Sequence, residues 1–410
     1  MHKLIIAVFI LFTVFNLAAQ DTLVPQKDIV DILFAKRKLK KPIENDSLVK
    51  GKLYPSYLPV IGYNPALGGV IGVGVSAGLL TGNKKTTHVS SVLANATVTT
   101  KKQINFNARA TIYLPNDEWI LQSDFRLLIF SQPTHGLGIN FMNSKDGSER
   151  AQPMKFNYLR LYQNVFKRIA GRWYAGLGIN YDGHTSIKDE KLDTTAPGIN
   201  YTSHYDYSIK NNFPINAYHT LGITFNALYD SRDNAVNAMN GSYAQLSYRV
   251  NPGFISSQAS SSIYYEYRTY FAVKKTVQHQ HTIALWTWGQ FLTNGKLPYL
   301  ALPSITWDMY NRSGRGYIQG RLRGESIWYG EAEYRMPLTQ NGLLGAVAFF
   351  NLTTASSEQN KQKLGDEFAP GYGLGFRIKI DKKTNANISV DYGIGRNGNS
   401  GIYFNLQEAF

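Results

Sequence analysis

The sequence predicts an all-β protein, a 16-stranded antiparallel transmembrane β-barrel of the outer-membrane type. Three observations lead to this class. Apolar and polar residues alternate over many segments, most of these segments exceed the ~9–11 residues that a tilted strand needs to cross a bilayer, and short connections alternate with long ones. Abundant tyrosine (27), phenylalanine (21) and glycine (36) fit alternating strands better than buried helices.

The first element has the features of a secretory signal. A basic start is followed by an apolar run over residues 4–15 and by small residues up to Ala19. The run is shorter than the ~20 residues of a membrane-spanning helix, so residues 1–20 are predicted to be a signal peptide cleaved between Ala19 and Asp21. A signal anchor is the alternative. The chain is expected to be exported, and without cysteine it must fold without disulfide bonds.

A short segment, residues 21–54, separates the predicted signal from the predicted barrel. Within it, "DIVDILFAKRKLKK" could form one amphipathic helix with a basic end. Such a helix would plug the lumen or contact a periplasmic partner. A linker that becomes ordered only on contact is the other interpretation.

The barrel is predicted over residues 55–410, and two of its segments show the alternation clearly. In 104–114, apolar residues beginning with Ile104 occupy one face and a polar set that includes Arg109 occupies the other. In 372–380, apolar residues oppose two glycines, an arginine and a lysine. A period of two places successive side chains on opposite faces, so both segments are predicted strands.

Sixteen such segments follow one another along the chain. They are predicted over residues 67–81, 86–100, 102–114, 117–131, 134–141, 155–169, 171–185, 217–230, 240–252, 258–274, 278–292, 324–338, 342–352, 370–381, 386–395 and 401–410. The segment 134–141, which contains most of "HGLGINFM", has the weakest pattern of the set.

The connections between these strands are of two kinds. Those at 131–134, 169–171, 338–342 and 381–386 are short, whereas those at 142–154, 186–216, 293–323 and 353–369 are long. Short periplasmic turns and longer outer loops are typical of outer-membrane barrels, in which closure removes sheet edges. The last strand ends on Phe410, and a terminal aromatic residue is typical of proteins delivered to the outer membrane. A large soluble β-protein is the alternative.

The net charge of +15 raises the question of nucleic acid as a partner. No basic stretch is interleaved with a recognisable nucleic-acid module, and a secretory signal also argues against this partner. The expected partners are therefore the lipids of the Gram-negative outer membrane, with periplasmic or outer-membrane proteins as further candidates.

One connection differs from the others in composition. "GRGYIQGRLRGE", residues 314–325, has three arginines and four glycines, more than a plain hairpin turn needs. The stretch 314–338 that contains it, the Asp-Ser-Arg-Asp turn within 229–252, and the last three strands from residue 372 onward occur in a specific order. In that order they resemble the BamA/TamA-type outer-membrane assembly factors, also called bacterial surface antigens.

The resemblance implies that this stretch is the family's sixth outer loop, folded into the lumen. Glycine lets a backbone lie close to the wall, and arginine offers a planar fork of donors for a carboxylate. Strand phase places Glu331, Glu333 and Asp391 on lumenal faces, and the resemblance pairs Arg315 with Glu333. That these acids only balance lumenal charge is the alternative. The motif residues so implied are Gly314, Arg315, Gly316, Tyr317, Gly320, Arg323, Glu333, Asn351, Asp391, Asp230, Arg232, Asp233 and Phe410.

Two departures from the family pattern accompany the resemblance. Asn351 stands where family members usually have a second acid, so one charge contact is expected to be lost, although the amide still accepts a hydrogen bond. No POTRA module precedes the predicted barrel, so the chain is expected to be a barrel-only member.

Two motifs of catalytic or metal-binding form are set aside. "GVSAG" matches the Gly-x-Ser-x-Gly pattern, but Ser76 lies in a glycine-rich strand without the strand-turn-helix context that the motif needs. His279 and His281 share a strand face, but no further ligand accompanies them. No catalytic residue, cofactor or metal is therefore expected.

Two function classes remain. The first is a barrel that helps insert, assemble or translocate proteins or lipids at the outer membrane through a weak seam between its first and last strands. The second is a passive or gated pore, or a structural subunit of a larger outer-membrane complex. The sixth-loop stretch favours the first, and the absence of POTRA modules favours the second.

Overall fold

The structure is a computed structural model that describes residues 25–29, 31–32, 48–64, 68–139, 151–195, 198–275, 280–309, 311–382 and 385–410. The predicted signal peptide, most of the predicted N-terminal helix and His279 lie outside the described residues.

Over the described residues, the fold is a single sheet of 16 antiparallel strands. The strands are β1 Leu53–Asn64, β2 Gly68–Leu79, β3 Ser90–Thr99, β4 Ile104–Tyr113, β5 Trp119–Thr134, β6 Gln152–Ala170, β7 Trp173–Asp189, β8 Tyr218–Asp230, β9 Gly241–Asn251, β10 Ser260–Lys275, β11 Gln280–Gly295, β12 Ser326–Pro337, β13 Leu344–Ala355, β14 Ala369–Asp381, β15 Ala386–Gly395 and β16 Ser400–Leu406. Each strand pairs with the next along the chain, as in an up-and-down barrel. The predicted all-β class and strand number are confirmed.

One strand of the structure is missing from the prediction. β1 pairs with β2 from Leu53 opposite Leu79 to Asn64 opposite Gly68. It contains Pro55 and Pro59, which weaken any strand pattern because proline cannot donate to a ladder. Proline is tolerated in a strand at a sheet edge, which is the place that β1 occupies.

One predicted strand is wrong. The predicted turn at 131–134 is part of β5, and no strand follows it over the described part of 134–141. Gly136 and Gly138 have φ values of 86° and 82°, a conformation that ends an extended run. This segment belongs to the loop between β5 and β6.

The barrel is apolar outside and polar inside. Leu374 and Phe404 are each 68% exposed, whereas Arg126 and Asp391 are fully buried. The apolar face of 104–114 is outward and the polar one lumenal, as predicted, with Ile104 exposed and Arg109 buried. An exposed apolar band around a polar interior suits a wall surrounded by lipid. Among the described residues, no helix has the length and hydropathy to cross a membrane.

The long loops lie at one end of the barrel and form a cap. Helix α1 (Ser203–Lys210), in the loop between β7 and β8, contributes Tyr207 to an apolar cluster with Leu137 and Tyr299. Tyr299 belongs to loop 6 (residues 296–325), which connects β11 to β12. Burial near Arg321 lowers the pKa of His135 to about 3, so its imidazole stays neutral within this cap.

The described part of the N-terminal segment lies at the opposite end, against the short turns. The backbone N–H of Lys27 donates to the carbonyl of Asn341 (3.0 Å), and that of Lys382 donates to the Asp28 carboxylate (3.2 Å). The Ile29 side chain packs against a small apolar cluster that includes Ile380. The segment is therefore joined to the turns between β12 and β13 and between β14 and β15.

Candidate functional site

Loop 6 enters the lumen and is held there by Arg315, whose side chain is 2% exposed. One guanidinium nitrogen donates to Asp391 on β15 at 2.7 Å, and the other donates to both Glu331 and Glu333 on β12. The guanidinium carbon lies 3.7 Å from the centre of the Phe349 ring on β13. We call Arg315 with Glu331, Glu333 and Asp391 the clamp. It brings together the predicted pair Arg315 and Glu333 and adds two further carboxylates.

The wall behind the clamp is shaped by glycine. Gly316 has a φ of 110°, and a Cβ there would lie 2.9 Å from the Ile394 carbonyl. On the wall, a Cβ at Gly393 would lie 2.7 Å from the Gly316 nitrogen, and one at Gly371 would lie 2.4 Å from the Arg315 oxygen. The loop backbone thus rests directly on β14 and β15, which only glycine allows.

Asn351 donates a hydrogen bond to loop 6, whereas the sequence predicts that it accepts one. Its side-chain nitrogen donates to the Arg315 carbonyl at 2.9 Å, so the amide is a donor to the loop backbone. A carboxylate in this place could not make that bond. The departure from the family pattern therefore exchanges a charge contact for a backbone contact, and the loop remains held at this position.

Tyrosine hydroxyls hold the residues that follow the clamp. The Gly316 N–H donates to the Tyr403 hydroxyl at 2.8 Å, and that hydroxyl donates to the Tyr317 carbonyl at 2.9 Å. The Tyr317 hydroxyl donates to the Pro370 carbonyl at 2.5 Å. Loop 6 is thus tied to β14 and to β16, the strand that carries Tyr403.

The other motif residues of loop 6 shape the loop itself. Gly314 and Gly320 have φ values of 78° and 70° and mark its sharp turns. The guanidinium of Arg323 donates to the carbonyls of Tyr299, Leu300 and Leu302 at 3.0–3.1 Å. Arg323 therefore joins the end of the loop to its beginning.

The predicted Asp-Ser-Arg-Asp turn forms a second, separate unit between β8 and β9. The Asp230 carboxylate accepts from Arg232 at 2.8 and 2.9 Å and from the Tyr113 hydroxyl at 2.5 Å. Asp233 accepts from the Met239 N–H at 3.0 Å, and Gly241 opens β9 with a φ of 96°. These contacts fix the turn (residues 231–240) and do not involve the Arg315 side chain.

Phe410 lies away from its predicted place. The predicted strand 401–410 ends at Leu406, and Gln407 has a φ of 72°. Residues 407–410, which we call the tail, leave the wall for the lumen, and Phe410 is 7% exposed there. A left-handed residue breaks the extended run and redirects the chain, so Phe410 contributes to the interior and not to the lipid-facing surface.

The two edges of the sheet are β1 and β16, and we call the place between them the seam. β1 is paired on one side with β2, and β16 is paired on one side with β15; over the described residues no ladder joins β16 to β1. The side-chain nitrogen of Gln407 instead donates to the Ser76 hydroxyl of β2 at 3.0 Å. Side chains therefore provide the described link across this part of the barrel.

The lumen beside loop 6 contains a cavity with a mixed polar and apolar wall. On its polar side, the Asp182 carboxylate accepts from Arg249 at 2.8 Å, from Arg160 at 3.2 Å and from the Tyr162 hydroxyl at 2.6 Å. The charges of this wall are paired with one another, which is how buried charges are normally accommodated.

Several residues of the site were missed by motif matching. Arg335 and Arg377 each pair with a clamp acid, at 2.7 Å to Glu333 and 2.5 Å to Asp391. Alternation places Arg335, Arg377 and Tyr403 on the inward faces of strands that the sequence predicts. It does not give their partners, because those lie on a loop or on strands that are distant in sequence.

The motifs set aside have ordinary structural places. Ser76 lies within β2 and accepts from Gln407. His281 is hydrogen-bonded to the Tyr334 hydroxyl at 2.7 Å. Across the described residues, no group of three or more metal-ligating side chains occurs.

Comparison with known proteins gives a family and a fold. The Omp85 superfamily domain matches residues 89–410. The chain is similar to the structure of BamA from Haemophilus ducreyi lacking POTRA domains 1–3, with 12% identity and a TM-score of 0.55 over 86% of this chain and 70% of that one. It is also similar to CdiB from Acinetobacter baumannii, with 12% identity and a TM-score of 0.52 over 86% of this chain and 59% of that one. No curated protein sequence matches the chain.

The two structural likenesses, at 12% identity, show the fold of the barrel alone. The family match covers loop 6, the clamp and strands β3 to β16. It confirms the resemblance that the sequence indicated: this chain belongs to the Omp85 superfamily.

Proposed function

We propose that this chain acts in the Gram-negative outer membrane as an assembly barrel, which helps to insert or translocate polypeptides by opening at the seam between β1 and β16. The observation that carries the proposal is that, over the described residues, no ladder joins these two strands, whereas every other neighbouring pair is joined by one. An unpaired strand edge presents free N–H and C=O groups and is a template for pairing with an incoming strand.

The clamp supports this reading. It ties loop 6 to β12 and β15, and Tyr403 ties the loop to β16. The part of the wall next to the seam is thus fixed to an internal frame, whereas β1 has its described ladder only with β2. A barrel with one fixed edge and one freer edge can open at that place without losing the rest of its sheet.

A passive or gated pore is the competing function. Loop 6 crosses the lumen, with the Arg126 guanidinium on β5 donating to the Asp308 carbonyl at 2.8 Å while Arg315 reaches β12 and β15. The tail occupies further lumenal space. An obstructed lumen suits assembly at the wall better than free diffusion through the centre.

A reversible lock tests the proposal. The natural chain has no cysteine, so Ser76→Cys with Gln407→Cys gives a unique pair whose native side chains are 3.0 Å apart. The pair is joined by a short methanethiosulfonate cross-linker that dithiothreitol cleaves. In liposomes, folding of a urea-unfolded eight-stranded barrel is followed by its heat-dependent gel migration. We expect the lock to slow the assisted folding at least about tenfold, and cleavage to restore it.

The matched control is Asn226→Cys with Ser247→Cys, which joins the already paired strands β8 and β9. Its cross-link should leave assisted folding unchanged. If the seam lock also leaves it unchanged, the assembly function is wrong. Ion conductance of the protein in planar bilayers that persists in the locked form would then support the pore.

A further inference from the structure

The tail is seated in a built site in the lumen, at the end of the barrel that carries the short turns. All four of its residues are at most 7% exposed. It leaves β16 by a single left-handed residue, Gln407, whose N–H donates to the Asn387 carbonyl at 2.7 Å. This conformation is uncommon for residues other than glycine, so contacts beyond the turn must hold the tail in place.

Those contacts recognise an acidic residue and an aromatic one. The Glu408 carboxylate accepts from Arg377 at 2.6 Å and from the Asn387 side chain at 2.7 Å. The Phe410 ring centre lies 5.2 Å from that of Trp286 and 5.1 Å from the Arg335 guanidinium, which also donates to the main-chain oxygen of Phe410 at 2.8 Å. The pattern that is recognised is Glu-x-Phe, with one residue between the acid and the ring.

The site is held in shape by groups other than the tail. Arg335 is paired with Glu333, and Arg377 is paired with Asp391. Glu333 and Asp391 are in turn bound by Arg315. Loop 6 therefore positions both arginines through the clamp acids, and the site would keep its form if the tail left.

An empty site would favour another occupant of the same chemistry. Without the tail, Arg335 and Arg377 would each lose a second partner in a buried place, and one further nitrogen of Arg377 already has no hydrogen-bond partner. Buried donors without partners are unfavourable. An open cavity adjoins the site, lined by Arg335, Arg377, Asn387 and Glu408 as well as by the turn between β12 and β13.

We propose that this site is a peptide-binding site, that the tail is its exchangeable occupant, and that an unfolded polypeptide segment with an acidic residue two positions before an aromatic one takes the same site. The source of the segment, a polypeptide undergoing assembly, rests on the proposed function. Replacement of the tail by such a segment would also affect the seam, because the displaced tail could extend β16 along the wall.

The test uses a fluorescent copy of residues 405–410, Asn-Leu-Gln-Glu-Ala-Phe, with an amidated end. Its binding to the full-length protein in detergent is measured by anisotropy. Glu408→Gln with Phe410→Ala vacates the site, and we expect this variant to bind the probe at least tenfold more tightly than the natural chain. Arg335→Gln added to the vacated variant should abolish the gain. Probes with Gln for Glu or Ala for Phe should each bind at least tenfold more weakly.

Phe404→Ala is the matched control, because Phe404 is a lipid-facing residue of β16 and its loss leaves the tail seated. This variant should bind the probe as weakly as the natural chain. Phe410→Leu, a milder change, provides a partly vacated receptor if the double variant does not fold. Equal binding by vacated and natural protein, or equal binding of the Ala probe, overturns the proposal. The assay involves no folding of a second barrel, so its failure leaves the result of the seam lock intact.

Discussion

The wall from β12 to β15 and the seam differ in how they are held together. The wall combines a complete set of ladders with a buried ionic centre, in which Arg315 contacts three carboxylates. At the seam, β1 is joined by its described ladder only to β2, a strand with five glycines between residues 68 and 78. Cross-strand side-chain pairs stabilise a sheet, and glycine supplies none. One barrel can thus keep a rigid frame beside an edge that opens.

The largest expected effect is loss of the clamp. Arg315→Ala leaves Glu331, Glu333 and Asp391 buried and short of a positive partner, which we expect to destabilise the barrel by about 3–5 kcal/mol. Urea unfolding in detergent, followed by the loss of heat-dependent gel migration, measures this. Arg396→Ala is the control, since Arg396 is 40% exposed and 4.0 Å from Glu367, and it should cost less than about 1 kcal/mol. Equal midpoints for the two variants would contradict a structural clamp.

A smaller effect is expected where the amide of Asn351 supports the loop. Asn351→Asp replaces the donor to the Arg315 carbonyl by an acceptor, so it should destabilise the barrel by about 1–3 kcal/mol. Asn351→Ala removes the donor without adding a charge and should cost less. The same unfolding assay ranks the two. A more stable Asp variant would show instead that the carboxylate serves Arg315 as a fourth acid.

The smallest effects are expected when a glycine is replaced by alanine. Such a replacement should lower the stability of the barrel in the wall and raise it near the seam. Gly393→Ala in the wall places a Cβ 2.7 Å from the Gly316 nitrogen, so loop 6 must shift and stability should fall. Gly69→Ala in β2 places a Cβ 3.2 Å from the Thr100 methyl group, and this exposed side chain needs to shift by only a few tenths of an ångström while it still accepts from the residue-69 N–H. Removing a strand glycine there should stabilise by about 0.5–1 kcal/mol. Both variants are compared with the natural chain by their thermal unfolding midpoints. If both midpoints shift in the same direction, the proposed difference between wall and seam is wrong.

The alternating pattern was sufficient for most of the barrel. It placed Glu333 and Asp391 on the lumenal face and the apolar residues of strands such as β14 on the lipid-facing side. This works because successive side chains of a strand point to opposite faces. It failed at β1, where two prolines obscure the pattern, and at 134–141, where glycine conformation ended the run. The loop arginine and its acids could be named from a resemblance, but the number of carboxylates that it contacts could not.

The sequence by itself determined the class, most of the strands and the inward-facing charges, because these follow from local alternation and from the spacing of turns. Only the tertiary structure decided that Asn351 is a donor, that the tail turns inward at Gln407, and that Arg335 and Arg377 connect the tail to loop 6. Each of these depends on where a loop or a tail crosses the lumen and meets strands far away in sequence. The alternation along a strand determines which side of the wall a residue faces, and the packing of the whole chain determines which residues it contacts there.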